Sequence, residues 1–258
     1  MSKIFTTEIT SDNLTSDNPI HQRLYKAYVA VEPFIKGDVL EVGCGEGRGI
    51  DLMIPKASSF TAVDKIEEAL SKLRQKYPTG KFIGTNIPPL SALADNTYDV
   101  VVTFQVIEHI EDDQLFLKEI HRVLKPGGIA YVTTPNRKLS LSRNPWHIRE
   151  YLADELKKLG EKYFASVEMK GITGNEKVMT YYQQNKKSVE RITRFDILNL
   201  QYRLPASILR IPYEFMNRWN RNKLQAQATG LVKEIHHTDY LVTDQAAEAL
   251  DLFMICRK

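Results

Sequence analysis

The sequence predicts an α/β fold in which a doubly wound, mostly parallel sheet of seven strands has an antiparallel final strand and carries a helical insertion. Three observations favour this fold. From Asp38 onward, short apolar runs rich in β-branched residues alternate with amphipathic stretches of helical length, which is typical of a parallel sheet with helices on both faces. A glycine-rich loop follows the first apolar run. Residues 174–234 interrupt the alternation with consecutive helical stretches.

The predicted elements follow one another along the chain. Pro19 opens a helical pattern that Pro33 and Gly37 end, because proline suits the first turn of a helix and disrupts its interior. Helical periodicity recurs near 47–54, 66–76, 112–124 and 150–159. The turn residues at 126–128 predict a sharp turn before the fifth strand. The predicted strands are Val39–Val42, Phe60–Val63, Lys81–Ile83, Val100–Phe104, Ile129–Thr133, 163–170 and Leu250–Cys256.

These elements divide the chain into four parts. An N-terminal tail and a capping helix cover 1–36, and the sheet with its helices covers 37–173. The helical insertion or lid covers 174–234, and 235–258 supplies the final strand that returns to the sheet. A length of 258 residues suits one α/β domain with an insertion better than two independent domains.

The composition indicates a globular chain without an export or membrane-spanning segment. Hydrophobic residues make up 43%, and a formal net charge of +3 is too small to indicate nucleic-acid binding. Cys44 and Cys256 offer neither a zinc-ligand spacing nor a disulfide framework, and Met1–Asn18 lacks the basic and apolar regions of a signal peptide. We therefore expect a cytoplasmic protein with no nucleic-acid partner.

The strongest local pattern is the segment Val39–Gly49, which reads VLEVGCGEGRG. Glycines at 43, 45 and 47 allow a tight turn with no Cβ between the backbone and a ligand, and the start of the next helix attracts an anionic group. A dinucleotide fingerprint requires a small residue where Arg48 stands, which weakens an NAD interpretation. The carboxylate of Glu41 suits a ligand with an ammonium group and repels a pyrophosphate.

Asp64 ends the second predicted strand. An acid about 20 residues after such a loop commonly accepts hydrogen bonds from ribose hydroxyls, and Ile66 just beyond it is placed to lie against an adenine. Together with the loop, these residues favour a ligand that joins an adenosyl group to an amino acid. The alternative is that the glycines only form a turn and that Asp64 caps the next helix.

With these residues in place, the chain resembles the class I S-adenosylmethionine-dependent methyltransferases. The resemblance implies a Rossmann-like core over 37–173 with S-adenosylmethionine as its cofactor. Asn86 stands where that family usually has aspartate, and its amide can still hydrogen-bond the adenine edge. The resembling motifs, in order, are Val39–Gly49, Ala62–Asp64, Phe82–Asn86, Tyr98–His109 and Glu119–Gly128.

A narrower resemblance points to a bacterial branch of these enzymes, the type 11/23-like methyltransferases, whose members are often linked to glycan pathways. It implies a small-molecule or glycan acceptor, which can be acidic or lipid-linked. The segments that carry this resemblance are His21–Tyr25, Thr134–Arg137, Asn144–Tyr151 and Ala249–Leu252.

The resemblance also implies roles for individual residues. The loop backbone and Glu41 are expected to hold the amino-acid end of the cofactor, and Arg23 its carboxylate. Asp64 is expected to bind the ribose, while Phe104 and Gln105 close the methionine side. The predicted cofactor-binding residues are Arg23, Glu41, Gly43, Cys44, Gly45, Gly47, Asp64, Lys65, Ile66, Asn86, Ile87, Phe104 and Gln105.

An oxygen acceptor needs a base within hydrogen-bond reach to remove its proton. His147, which lies in a Pro-Trp-His segment, and His109 are the candidate catalytic bases, and a structural role is the alternative for each. Tyr25, Arg149 and Tyr151 are expected to shape the substrate pocket.

A divalent metal is the less favoured addition to this site. The segment Gln105-x-x-Glu108-His109 resembles the Glu-x-x-Glu-His element with which some methyltransferases bind a divalent ion, and His147 is the candidate to complete it. Gln105 replaces the first acid and removes its charge, and Glu108 and His109 can instead cap the next helix or pair with each other. The sequence therefore predicts S-adenosylmethionine as the cofactor and no metal.

The predicted function is transfer of a methyl group to an oxygen of a small-molecule or glycan acceptor by in-line displacement. The alternatives are an RNA or protein methyltransferase, a non-catalytic module that binds S-adenosylmethionine, and an NAD-dependent oxidoreductase. Arginines alternate with aromatic residues in the insertion. This segment is interpreted as a solvated lid, a pocket for an acidic acceptor, or a surface for peripheral contact with an anionic membrane that carries a lipid-linked acceptor.

Overall fold

The computed structural model describes residues 15–194, 196, 199–227 and 229–258. The part of the predicted N-terminal tail before residue 15 lies outside these residues. The strands are β1 (Asp38–Val42), β2 (Ser59–Asp64), β3 (Lys81–Gly84), β4 (Tyr98–Phe104), β5 (Leu124–Pro135), β6 (Ser166–Gly174), β7 (Tyr240–Thr243) and β8 (Asp251–Arg257). Within the described residues they form one sheet of eight strands in the order β3-β2-β1-β4-β5-β8-β6-β7.

The strand pairing confirms the predicted α/β fold with its mostly parallel sheet. β1 pairs in parallel with β2 and β4, β2 with β3, and β4 with β5. The final strand, β8, lies antiparallel between β5 and β6, as predicted. The edge strand β7, antiparallel to β6, was not predicted. Its sequence, Tyr-Leu-Val-Thr, is an apolar run of only four residues, of which Tyr240 alone is buried, and a run this short is a weak strand signal.

The helices lie close to the predicted stretches. α2 is shorter than the predicted 47–54 because Gly47 has a φ of 82°, which a right-handed helix excludes. The turn predicted at 126–128 is part of β5, where Gly127 has a φ of 80° and the register with β4 is irregular. Over the described residues no helix is long and apolar enough to cross a membrane. The helices are α1 (Asn18–Val31), α2 (Ile50–Met53), α3 (Glu67–Lys76), α4 (Asp113–Val123), α5 (Ala153–Gly160), α6 (Glu176–Thr193), α7 (Leu200–Arg203), α8 (Ala206–Gln227) and α9 (Thr229–Glu234).

Buried side chains cover both faces of the sheet. Val100 and Val102 of β4 belong to one buried cluster and Val101 to the other, because alternate residues of a strand point to opposite faces. The first cluster includes side chains of α1, α3, α6, α8 and α9, and the second includes side chains of α4 and α5. The helices within 174–234 therefore share a face of the sheet with α1, and the division of the chain into four parts stays a prediction.

Candidate active site

A cavity of about 420 Å³ lies at the carboxyl ends of β1, β4 and β5, with α1, α6 and α8 over it. Ligands commonly bind at this edge of a parallel α/β sheet, where the loops after the strands converge. The cavity therefore joins two groups of predicted residues, those of the glycine loop and those after β4. The predicted residues that line it are Arg23, Gly43, Cys44, Gly45, Gly47, Phe104, Gln105, Glu108, His109 and His147.

The loop after β1 has the backbone that its glycines predict. Gly43, Gly45 and Gly47 have φ angles of 80°, 50° and 82°, in the left-handed region that favours glycine. A Cβ on Gly43 would lie 2.4 Å from a methyl carbon of Val106. A Cβ on Gly45 would meet no atom within 4 Å, so this part of the loop borders open space that a ligand can enter.

Asp64 fixes this loop from the end of β2. Its Oδ2 atom accepts a hydrogen bond from the backbone N–H of Gly45 at 2.7 Å, and its Oδ1 atom accepts one from Ile66 at 3.0 Å. Because each carboxylate oxygen has two lone pairs, Asp64 can accept further hydrogen bonds from ribose hydroxyls. The bond from Ile66 precedes α3, which has no side-chain cap, so Asp64 holds the loop, does not cap the helix, and still has the capacity to bind a ligand.

Glu41 does not lie where the sequence analysis expected it. Its carboxyl group is buried, its Oε1 atom accepts a hydrogen bond from the Tyr28 hydroxyl at 2.8 Å, and its Oε2 atom has no hydrogen-bond partner among the described residues. Burial raises the pKa of Glu41 to about 8, so the group is largely protonated at neutral pH. Glu41 packs between β1 and α1 and does not line the cavity, which corrects the expectation that it lies directly beside the ligand.

Arg23 reaches the cavity from α1, as expected. Its Nε atom lies 3.1 Å from Oδ2 of Asp251, the first residue of β8. Asp251 is buried, and burial raises its pKa while the charge of Arg23 lowers it. The sequence analysis missed Asp251, although an acid within the apolar run Leu250–Cys256 was a visible signal. The guanidinium of Arg23 places a positive charge at the cavity wall, which suits a carboxylate of a ligand.

Glu108, His109 and His147 meet at the wall of the cavity. One candidate ligand atom of each lies within 4.8 Å of the other two. The Nδ1 atom of His109 lies 2.9 Å from the carbonyl oxygen of Trp146, and Nδ1 of His147 lies 2.6 Å from Oε1 of Glu150. Burial raises the pKa of Glu108 to about 7. This cluster can take up a proton or hold a cation.

The three residues predicted to shape the substrate pocket do not line the cavity. Tyr151 is fully buried, and its hydroxyl donates a hydrogen bond to Asp113 at 2.8 Å. Arg149 pairs with the same carboxylate at 3.0 Å and lies over the ring of Tyr151. Tyr25 packs its ring against His237. Each side chain has its partners outside the cavity, and a role of these three residues in acceptor binding stays a prediction.

The residues predicted to hold the adenine lie along the same sheet edge, outside the cavity. Lys65 and Ile66 follow β2, and Asn86 and Ile87 follow β3. Lys65 and Asn86 are exposed, whereas Ile66 and Ile87 are half-buried. Their part in adenosine binding stays a prediction.

The insertion and the loop after β5 contribute cavity residues that the sequence analysis did not select. Arg218 and Arg221 of α8 each lie 3.0 Å from Oδ1 of Asp17, which fixes α8 to the segment before α1. Glu150 follows His147 by three residues, a spacing at which their side chains can reach each other. The lining residues from this group are Asn144, Glu150, Tyr181, Tyr182, Asn185, Tyr213, Asn217 and Arg221.

Comparison with known families bears directly on this cavity. Residues 40–132 match the methyltransferase domain family. The matched range holds the glycine loop, Asp64, Glu108 and His109, so it includes residues from two walls of the cavity. The match covers the first five strands, and α6 to α9 lie beyond it.

Curated relatives have names that agree with this domain. A "Probable S-adenosylmethionine-dependent methyltransferase" of Mycobacterium tuberculosis (strain CDC 1551 / Oshkosh) is 42% identical over 60% of this chain and 58% of its own length. A "Ubiquinone biosynthesis O-methyltransferase" of Parvibaculum lavamentivorans is 32% identical over 43% of this chain and 45% of its own length. The chain thus spans about half the length of the curated relatives it matches. These names agree with the resemblance to S-adenosylmethionine-dependent methyltransferases.

A solved structure shares the fold of the methyltransferase domain and of the parts around it. It is a SAM-dependent methyltransferase from Thermotoga maritima, with a TM-score of 0.57 over 93% of this chain and 91% of that chain. The two sequences are 16% identical. This likeness therefore supports the Rossmann-like fold and gives no information on the acceptor.

Proposed function

We propose that this protein transfers the methyl group of S-adenosylmethionine to an oxygen atom of a small-molecule or glycan acceptor by in-line displacement. The observation that carries the proposal is that one cavity joins the open backbone at Gly45 to the imidazoles of His109 and His147. A cofactor and an acceptor hydroxyl can then meet in the same enclosed space. The resemblance of segments outside the domain match to a glycan-associated branch supports a glycan acceptor.

The residues around the loop fit the amino-acid and ribose parts of S-adenosylmethionine. The open space at Gly45 admits a ligand against the backbone, and the guanidinium of Arg23 suits its carboxylate. Asp64 keeps lone pairs for the ribose hydroxyls. When bound, the cofactor supplies a methyl group that its sulfonium has already activated for transfer.

The residues of the chain hold the acceptor oxygen in position and receive the proton that it loses. Holding the acceptor oxygen in line with the methyl group at contact distance can contribute roughly 7–11 kcal/mol. The proton of the acceptor hydroxyl must leave, and Glu108, His109 and His147 are clustered groups at the cavity wall that can receive it. Tyr213 and Asn217 of α8 offer hydrogen bonds to a polar acceptor from the opposite wall.

The proposal is tested by incubating the purified protein with methyl-labelled S-adenosylmethionine and a fractionated cell extract. We expect label in the small-molecule or glycan fraction, lost when the protein is boiled. Label in the RNA or protein fraction would contradict the proposed acceptor class. Tight binding of the cofactor with no label transferred to any fraction would instead favour a non-catalytic binding module.

We also propose peripheral contact with an anionic membrane, which the outer face of α8 favours. Ile211 and Phe215 are 80% and 72% exposed, Trp219 is 48% exposed, and the ammonium of Lys223 lies 5.1 Å from the Trp219 ring centre. Apolar side chains flanked by cations suit an anionic bilayer surface.

Replacing Phe215 and Trp219 by serine is expected to abolish sedimentation with phosphatidylglycerol vesicles. Phe34→Ser, which removes another exposed ring, is expected to leave sedimentation unchanged. Equal sedimentation of all variants would contradict this proposal.

A further inference from the structure

We propose that Glu108, His109 and His147 bind one divalent first-row metal ion at the wall of the cavity. The donor atoms of these three side chains lie within 4.8 Å of one another, so small side-chain movements bring them to one ion. Two imidazoles and one carboxylate are a donor set that suits first-row divalent metals better than magnesium. The sequence analysis named these three residues as a less favoured metal site, and the arrangement of their side chains supports it.

The hydrogen bonds of the two histidines leave the same ring nitrogen unprotonated in each. Nδ1 of His109 faces the carbonyl oxygen of Trp146 at 2.9 Å. A carbonyl oxygen only accepts, so Nδ1 carries the hydrogen and Nε2 of the neutral ring carries the lone pair. For His147, Nε2 lies 2.8 Å from the amide nitrogen of Asn144, which donates to it. The other ring nitrogen of His147 then donates to Glu150 at 2.6 Å.

The orientation of the Asn144 amide supports this assignment. Its oxygen accepts a hydrogen bond from the backbone N–H of Trp146 at 3.0 Å, so its nitrogen is the atom that faces His147. The amide nitrogen of Asn144 therefore lies where the lone pair of His147 Nε2 points. A metal ion bound to this nitrogen would occupy the same position. A bound metal ion would displace this amide from the ring.

Each proposed ligand also has an outer partner of the kind that metal sites use. The hydroxyl of Thr134 donates a hydrogen bond to Oε2 of Glu108 at 3.0 Å. The carbonyl of Trp146 and the carboxylate of Glu150 hold the two histidines through Nδ1. Metal-bound histidines almost always donate their second ring N–H to a carboxylate or a backbone carbonyl, which fixes the ring and raises its basicity. Three ligands oriented in this way indicate a built site.

Gln105 is not needed for this set of ligands. Its side-chain amide donates to Thr133 at 3.3 Å, and its own φ of 59° fixes its backbone in the left-handed region. The role of the ion in catalysis rests on the proposed methyl transfer: a cation at this wall would bind the acceptor hydroxyl and lower its pKa, as it does for bound water. Binding of the ion itself does not depend on that role.

The site is tested with the full chain after treatment with a chelator. Titration with Zn²⁺ is expected to show one bound equivalent by calorimetry, and Co²⁺ is expected to give the visible absorption of a site with nitrogen ligands. The double variant His109→Gln/His147→Gln is expected to lower the Zn²⁺ affinity more than about 100-fold, and Glu150→Gln about 10- to 100-fold. The control His121→Gln removes an imidazole from α4 outside the cavity and is expected to bind as the unmodified chain does.

Two results would overturn the proposed site. One is the absence of Zn²⁺ and Co²⁺ binding by the unmodified chain, and the other is equal affinity in the unmodified chain and the double variant. Binding of S-adenosylhomocysteine is measured on the same samples, because it reports folding and the cofactor site separately. Loss of metal binding with retained S-adenosylhomocysteine binding in the double variant supports the metal site. Retained S-adenosylhomocysteine binding by an unmodified chain that binds no metal overturns the metal site and leaves the proposed methyl transfer standing.

Discussion

Replacing Asp64 with alanine is expected to weaken the binding of S-adenosylhomocysteine at least about 100-fold. The carboxylate accepts hydrogen bonds from the backbone of Gly45 and Ile66, so the substitution frees the glycine loop and removes the proposed ribose acceptor. The proposed ribose hydroxyls donate two hydrogen bonds to this carboxylate. Loss of both, each contributing about 1.5 kcal/mol or more, corresponds to this change in affinity. Isothermal titration calorimetry measures it directly.

Two further variants separate the role of Asp64 from a general effect of charge. Asp64→Asn keeps the size but turns a donor toward one of the two backbone N–H groups, so we expect it to lose a large part of the affinity too. Glu68→Ala removes an exposed carboxylate on α3 that pairs with Lys72 and is expected to bind as the unmodified chain does. Affinity of Asp64→Ala within about threefold of the unmodified chain would show that this carboxylate does not hold the cofactor.

The free energy of unfolding is expected to fall as pH rises toward 8. Replacing Glu41 with glutamine is expected to make this fall much smaller. Burial raises the pKa of Glu41 from 4.5 to about 8, so between these values the folded chain keeps a proton that the unfolded chain has lost. The unfolded state then binds fewer protons, and the free energy of unfolding falls with rising pH by up to about 1.4 kcal/mol per unit. Glutamine does not ionise, and its amide oxygen can still accept from Tyr28.

Urea unfolding at pH 5, 6, 7 and 8 measures this difference in slope. Glu155→Gln is the matched contrast, because the backbone N–H of Leu152 lowers the pKa of Glu155. That carboxylate contributes stability that is present above its unfolded pKa and is lost as pH falls through its folded pKa. All four pH values lie above the unfolded pKa of 4.5, so its replacement should lower the free energy of unfolding by a similar amount at each of them and leave the slope with pH unchanged. Equal slopes for Glu41→Gln and the unmodified chain would contradict the assignment of a protonated Glu41.

The sheet and the glycine loop could be predicted because their causes are local. Strands of a parallel sheet are buried on both faces and therefore read as continuous apolar runs. Gly43 and Gly47 have backbone angles that other residues adopt only under strain. Asp64 is the last residue of β2, so the end of that strand fixes its place beside the loop.

The contacts that complete the site could not be predicted because they join distant parts of the chain. Glu41 was expected beside the ligand, and only the packing of α1 against β1 shows that the Tyr28 hydroxyl holds it. Tyr151 was expected in the pocket, and its partner Asp113 lies at the start of α4, far from it in the sequence. The pairing of Arg23 with Asp251 likewise depends on β8 returning between β5 and β6.

A crystal structure of the protein with S-adenosylhomocysteine tests the proposed cofactor site most directly. We predict the amino-acid end of the molecule against the backbone of Gly43–Gly47 and beside Arg23, with its ribose hydroxyls on the carboxylate of Asp64. S-Adenosylhomocysteine bound elsewhere, or density for a pyrophosphate against this loop after soaking with NAD, would contradict it.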